Sequence, residues 1–262
     1  FIHQRNGNIV YIDQYVDRIQ GAFFMRIEVE GDFDLSNFEK FKTTFKKELG
    51  EPFQMSCSFY LADVLPKMAV FVSKYDQCLY DILAQQSSGK LACTIPFIIS
   101  NHKDLEPIAK QVNIPFYHIA VSKDNKEETE TKQLELLKKY EVNCIVLARY
   151  MQIVSSRIID VYPSKIINIH HSFLPAFPGA KPYHSAFQRG VKIIGATSHY
   201  VTEELDAGPI IEQDIIRVSH GHEVKDFILK GQDLERIVLL RALKLHCERK
   251  IMTYNNKTIV FN

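Results

Sequence analysis

From residue 67 onward, short apolar runs alternate with segments of helical periodicity, and this alternation limits the chain to very few architectures. Residues 67–73 (KMAVFVS) read as an apolar strand, and 76–86 carries Leu79, Ile82 and Leu83 at helical spacing. The pattern continues with a strand at 94–99, a helix at 104–112, a strand at 116–121, a charged helix at 125–141 and a strand at 144–148. Strands this short and this uniformly apolar, each followed by an amphipathic helix, predict βαβ units and a mostly parallel sheet buried on both faces. Two further strands, 192–201 and 209–218, are joined by the acidic turn 202–208, and a long helix over 222–249 closes the domain.

The first sixty residues follow a different rule. Residues 8–15 and 22–29 are β-branched and aromatic with partial alternation around a turn containing Gly21, which predicts a hairpin. Leu35, Phe38, Phe41, Phe45 and Leu49 recur at three- and four-residue steps, a helical face with Gly50 just past its end, and 54–60 reads as another strand. The order β-β-α-β is a ferredoxin-like βαββαβ unit without its first strand and most of its first helix, although another small α+β topology fits as well. Pro66 discourages continuation of either neighbour, so the expected division is 1–60, a linker at 61–66 and a second domain at 67–262. The chain starts at Phe1, inside what reads as a folded element, so an N-terminal segment is expected to precede it.

Composition narrows the function. With 32 Lys+Arg against 31 Asp+Glu the net charge is +1, which gives no electrostatic reason to expect nucleic acid. No apolar run is long enough to cross a bilayer, so no membrane partner is expected. Cys57, Cys78, Cys93, Cys144 and Cys247 are odd in number and lack the spacing of a zinc site, which predicts reduced thiols in a cytoplasmic protein and no metal.

In an open α/β sheet, ligands bind beyond the carboxyl ends of the strands. Residues 165–171 form a short strand running directly into Asn and His at such a place. Strand parity puts Asn168 and His170 on one face and turns Ile169 and His171 to the other. Asp206, in the turn 203–208, offers a carboxylate. An amide donor, an imidazole and a carboxylate are the parts acyl transfer needs: an oxyanion donor, an acid/base partner and a proton acceptor. Taken alone, the signal is weak, because an Asn-x-His at a strand end is structural more often than catalytic, and Asp206 before Ala-Gly reads as an ordinary turn residue.

Resemblance strengthens it. The run 168–215, NIHHSFLPAFPGAKPYHSAFQRGVKIIGATSHYVTEELDAGPIIEQDI, closely resembles the folate-dependent formyltransferase family, on the branch that hydrolyses 10-formyltetrahydrofolate to formate and tetrahydrofolate. The resemblance extends over essentially the whole chain. It implies a Rossmann-like catalytic domain, catalysis by Asn168, His170 and Asp206, water as second substrate, and no tightly bound cofactor. It implies that Leu147, Tyr150, Met151, Gln152 and Ile153, from the segment LARYMQIV, line a pterin pocket with Val201, Thr202 and Glu203. The first sixty residues look like an ACT domain, which implies a homo-oligomer paired through sheet edges and an amino-acid effector whose binding residues cannot be named.

Three features favour hydrolysis over formyl transfer. The loop 73–77 (Ser-Lys-Tyr-Asp-Gln) has no Gly with which to cradle a phosphate, His171 stands where the transferring relatives have Pro, and an ACT domain accompanies the hydrolytic branch. The alternatives are transfer to an amine acceptor such as phosphoribosylglycinamide, and a non-catalytic folate or amino-acid sensor. His199 is a candidate neighbour of the site, His171 a core or supporting residue, and His184 a structural residue at a helix start. A catalytic carboxylate in a dry cleft is expected to titrate high.

Overall fold

The computed structural model describes residues 1–31, 37–122, 124–176 and 182–261, so Leu35 and the segment 177–181 lie outside the described residues. The chain divides into two compact units, Phe1–Val64 with the chain's end, and Leu65–Val260.

In the first unit, β1 (Gly7–Asp17) and β2 (Ala22–Gly31) form an antiparallel hairpin with register Asp17↔Ala22 to Gly7↔Gly31. Asp17 Oδ1 accepts the backbone N–H groups of Ile19 and Gln20, both at 3.0 Å, and Gly21 supplies the positive φ that closes the turn. Helix α1 (Phe38–Phe45) continues into a wider turn, Lys46–Gly50. The strand expected at 54–60 does not form. Residues 55–61 do alternate half-buried and exposed, and the Phe59 ring meets Phe41 and Phe45 edge-on at 6.2 and 5.2 Å. Period-two burial reports which face of a segment packs; a strand also needs a ladder partner, and β1 and β2 pair with each other.

The second unit is built on a seven-stranded sheet of order β5-β4-β3-β6-β7-β8-β9. Its strands are β3 (Met68–Val72), β4 (Ile98–Ser100), β5 (Phe116–His118), β6 (Cys144–Leu147), β7 (Ile166–His170), β8 (Ile193–Tyr200) and β9 (Ile210–Arg217). The first five are parallel, and β7–β8 and β8–β9 are antiparallel. The connecting helices are α2 (Gln77–Ser87), α3 (Glu106–Gln111), α4 (Lys126–Lys139), α5 (Ser156–Ile159), α6 (Pro182–Arg189) and α7 (Val224–Cys247). Every residue of β3 and β6 is buried, as two covered faces require. Val70, Val72, Val146, Ile167 and Ile169 pack with α2 and α7 on one face, and Phe71, Ile145, Leu147 and Ile166 with α4 and α5 on the other.

Strand order reverses between β3 and β6, so the loops following these strands, at 73–76 and 148–155, flank the crevice where such sheets take ligands. The chain does not close on the long helix. A hairpin of β10 (Ile251–Tyr254) and β11 (Lys257–Val260) follows it.

Helix α7 meets α6 at Gly231, where an added Cβ would lie 2.1 Å from Tyr183 Cζ. Overpacking of this kind costs about 1–3 kcal/mol. Gly231→Ala is therefore expected to lower the unfolding free energy by that amount, seen as a lower urea midpoint at unchanged m-value, and an unchanged midpoint would contradict the packing.

Candidate active site

The antiparallel register of β7 on β8 sets Asn168 directly opposite His199, so both side chains stand on one face, and His170 follows Asn168 at the two-residue step. His170 and His199 are 5% and 2% exposed. Asp206 enters from the 201–209 loop, held in the left-handed region at φ 56°. Its Oδ1 lies 3.3 Å from His170 Nδ1 and 3.7 Å from His199 Nε2.

These contacts assign the protons. His199 Nδ1 lies 2.9 Å from the carbonyl oxygen of Tyr200, which can only accept, so Nδ1 carries hydrogen. Its Nε2 stands between Asn168 Nδ2, at 3.2 Å, and Asp206 Oδ1. One amide N–H of Asn168 is committed in this way, leaving its second for a ligand. His170 Nδ1 faces the Asp206 carboxylate and is likewise the donor. His170 Nε2 is buried without a protein partner among the described residues, and a buried polar atom of this kind calls for a ligand or water.

Burial pushes the Asp206 carboxyl up, but the hydrogen bonds and charges of His170 and His199 outweigh it. The carboxyl titrates well below the usual carboxylate range. This corrects the expectation of a high-titrating acid: the contacts of His170 and His199 outweigh the burial.

Of the expected pterin-lining residues, Leu147 and Tyr150 are buried and Met151 and Ile153 exposed. Tyr150 packs edge-on against Phe71 at 5.3 Å, and its hydroxyl accepts Gln133 Nε2 at 2.9 Å. Tyr150, Gln152 and Ile153 line a crevice with Gln133 and Glu130 of α4. Arg149 and Met151 both adopt positive φ, 61° and 58°, a cluster of strained backbone of the kind found at ligand sites. Val201, Thr202 and Glu203 lead into the Asp206 turn, where Thr202 Oγ1 donates to the Glu204 carbonyl at 3.1 Å. His184 is exposed on α6, as a structural residue can be.

Sequence reasoning missed a buried polar network beside these residues. Arg149 Nη1 donates to Glu235 Oε1 at 2.9 Å and Tyr183 donates to the same oxygen at 2.6 Å. The Arg149 guanidinium lies 4.8 Å from the centroid of Tyr75, in the loop after β3, and the Tyr183 ring meets His171 edge-on at 5.7 Å. Burial holds the Glu235 carboxyl above its ordinary value, while Arg149 and Tyr183 pull it back. The signal for Glu235 was readable: it lies on the apolar face of α7 among Leu234, Val238 and Leu239. Its partner, 86 residues away, was not. Among the described residues no group of three or more His, Cys, Asp or Glu side chains is placed to hold a metal ion, and no helix is long and apolar enough to cross a membrane.

A family model described as formyl transferase matches residues 66–243. The formyltetrahydrofolate deformylase of Synechocystis sp. is 51% identical over 262 residues, covering all of this chain and 91% of its own length. The chain belongs to the formyltetrahydrofolate deformylase family. The deformylase of Bacillus subtilis is 46% identical over 266 residues, covering all of this chain and 87% of its own. The crystal structure of a formyltetrahydrofolate deformylase from Pseudomonas syringae superposes with a TM-score of 0.95 at 41% identity, over all of this chain and 87% of that one.

For a member of the deformylase family arranged in this way, the state of Asp206 is directly measurable. A depressed folded pKa means that the ionised form supports the fold above the unfolded value, and that this support is lost only as pH falls through the lower folded value. The ¹³C-carboxyl resonance of Asp206 is therefore expected to show no inflection between pH 7 and about pH 4. An inflection inside that window would contradict its placement between His170 and His199.

Proposed function

We propose that this chain hydrolyses the N10-formyl group of 10-formyltetrahydrofolate to formate and tetrahydrofolate, with water as second substrate. The observation that carries the reading is the convergence of Asn168, His170 and Asp206 at the carboxyl end of the sheet, with His170 Nε2 unpartnered. The segments 147–153 and 201–203 hold the pterin beside it.

Water attacks the formyl carbon, and negative charge develops on the formyl oxygen. The free N–H of Asn168 donates to that oxygen, and the His170 imidazole meets it through Nε2. Asp206 anchors the other side of the His170 ring. A carboxylate held this far below the usual range is a weak base in the resting site, so it takes the water's proton only as the C–O bond forms. It returns that proton to N10 as the C–N bond breaks; the product carries one oxygen from the formyl group and one from the water, and its remaining proton passes to solvent to leave formate. The formate supplies one-carbon and purine metabolism.

Transfer to an amine acceptor would need room and a phosphate cradle at the loop after β3. That loop is free of Gly, and its Tyr75 ring lies against the Arg149 guanidinium where a phosphate cradle would be, which favours water. We read residues 1–60, within the first unit, as an ACT-like regulatory domain that pairs with a second copy through open sheet edges and takes an amino-acid effector. The five cysteines are free thiols, in keeping with a cytoplasmic enzyme.

An oxyanion donor is worth about 2.7–4 kcal/mol in the transition state. In an assay of formate release without any acceptor, Asn168→Ala is expected to lower kcat by roughly two to three orders of magnitude and Asp206→Asn nearly to abolish turnover. Near-wild-type release by Asp206→Asn would refute the assignment, and tight folate binding by a wild-type protein that releases no formate would favour the sensor.

A further inference from the structure

We propose that the C-terminal hairpin is a brace for the catalytic loop, and that Asn256 is the positioning residue that sets Asp206. The hairpin turns through Asn255 and Asn256, both with positive φ (45° and 58°), between the paired residues Tyr254 and Lys257. Two consecutive left-handed residues between antiparallel strands make a type I′ turn, a conformation asparagine tolerates better than most residues.

What this turn does lies outside the hairpin. Asn256 Nδ2 donates to the backbone carbonyl of Ala207, the residue next to Asp206, at 2.8 Å. Thr258 Oγ1 donates to the Ile210 carbonyl at 2.6 Å, at the start of β9. On the first strand, Thr253 Oγ1 lies 3.2 Å from Ser164 Oγ, just before β7. The hairpin therefore holds both segments that supply the site, the lead into Asn168 and His170 and the loop that carries Asp206.

The loop needs such a hold. Asp206 stands in a left-handed conformation, and within the loop the ties among the described residues are long: Thr202 Oγ1 and Ala207 N–H both donate to the Glu204 carbonyl, at 3.1 and 3.4 Å. On the far side Gly208 presses against β8 so closely that a Cβ would lie 1.8 Å from the Tyr200 carbonyl oxygen. With Gly208 pinned there and the Ala207 carbonyl held by Asn256, the peptide between them has one orientation. Asp206 then meets His170 of β7 and His199 of β8, the titratable groups that face it.

The inference rests on the deformylase reading for its kinetic readout, but not for its spectroscopic one. Asn256→Gly is the informative variant, because Asn-Gly is a favoured type I′ turn and only the amide donor is removed. A hydrogen bond of this kind contributes on the order of 1 kcal/mol, so kcat for formate release by the full chain is expected to fall about five- to tenfold with KM within about twofold. The thermal midpoint should stay close to wild type, and the Asp206 ¹³C-carboxyl titration should move up toward the ordinary range. Asn256→Asp, which turns the donor into an acceptor facing the Ala207 carbonyl, should lose more. Wild-type kcat and an unmoved titration in Asn256→Gly would overturn the brace, as would a loss of kcat that only tracks a lowered midpoint. If the wild-type protein releases no formate, the activity reading fails alone, and the Asp206 titration in the two proteins still decides the brace.

Discussion

One carboxylate placed between two buried imidazoles, Asp206 against His170 and His199, is the contact around which the rest of the second unit is arranged. It is possible because the sheet changes direction there. Five parallel strands deliver Asn168 and His170 to a carboxyl end, and the antiparallel return of β8 sets His199 opposite Asn168. A parallel neighbour would have put a crossover where the Asp206 loop now passes from β8 to β9. The hydrogen bond from His199 Nδ1 to the Tyr200 carbonyl orients the ring, so that its Nε2 faces both Asn168 and Asp206.

A second constraint acts on the opposite face. Arg149, Glu235 and Tyr183 are all buried within reach of one another, an arrangement with a large desolvation cost that mutual pairing offsets only when the geometry is good. Gly231 permits it by letting the Tyr183 ring lie against α7. The network joins the strand end of β6, the loop after β3 and the helix α7, so the floor of the crevice at the strand-order reversal is held by charge as well as by packing. Apolar residues of the same volume would fill the space, but they would not tie Tyr75 and His171 to one fixed centre.

Much of this was legible in the chain itself. The apolar strands and the helical faces of 67–148 are strong periodic signals, and the sheet they form follows their order. Asn168 and His170 could be paired by parity alone. His199 could not, since its place opposite Asn168 depends on the β7–β8 register. The run at 54–60 misled because alternation reports an extended, half-packed segment whether or not a neighbouring strand exists to pair with it. The hairpin after α7 carried its own signal, two asparagines between β-branched residues from Ile251 to Val260, but its consequence lies in a side-chain bond to Ala207, 49 residues earlier. Contacts across such distances are set by the fold and have no local signature.

The central claim is that water, activated between Asp206 and the Asn168–His170 donors, is the formyl acceptor. Its most direct measurement is a turnover of 10-formyltetrahydrofolate by the full chain in ¹⁸O-labelled water, followed by mass analysis of the formate. The account predicts one solvent oxygen in each formate released, with no dependence on added amines. Formate without solvent oxygen, or a formyl group passed intact to an amine, would contradict it.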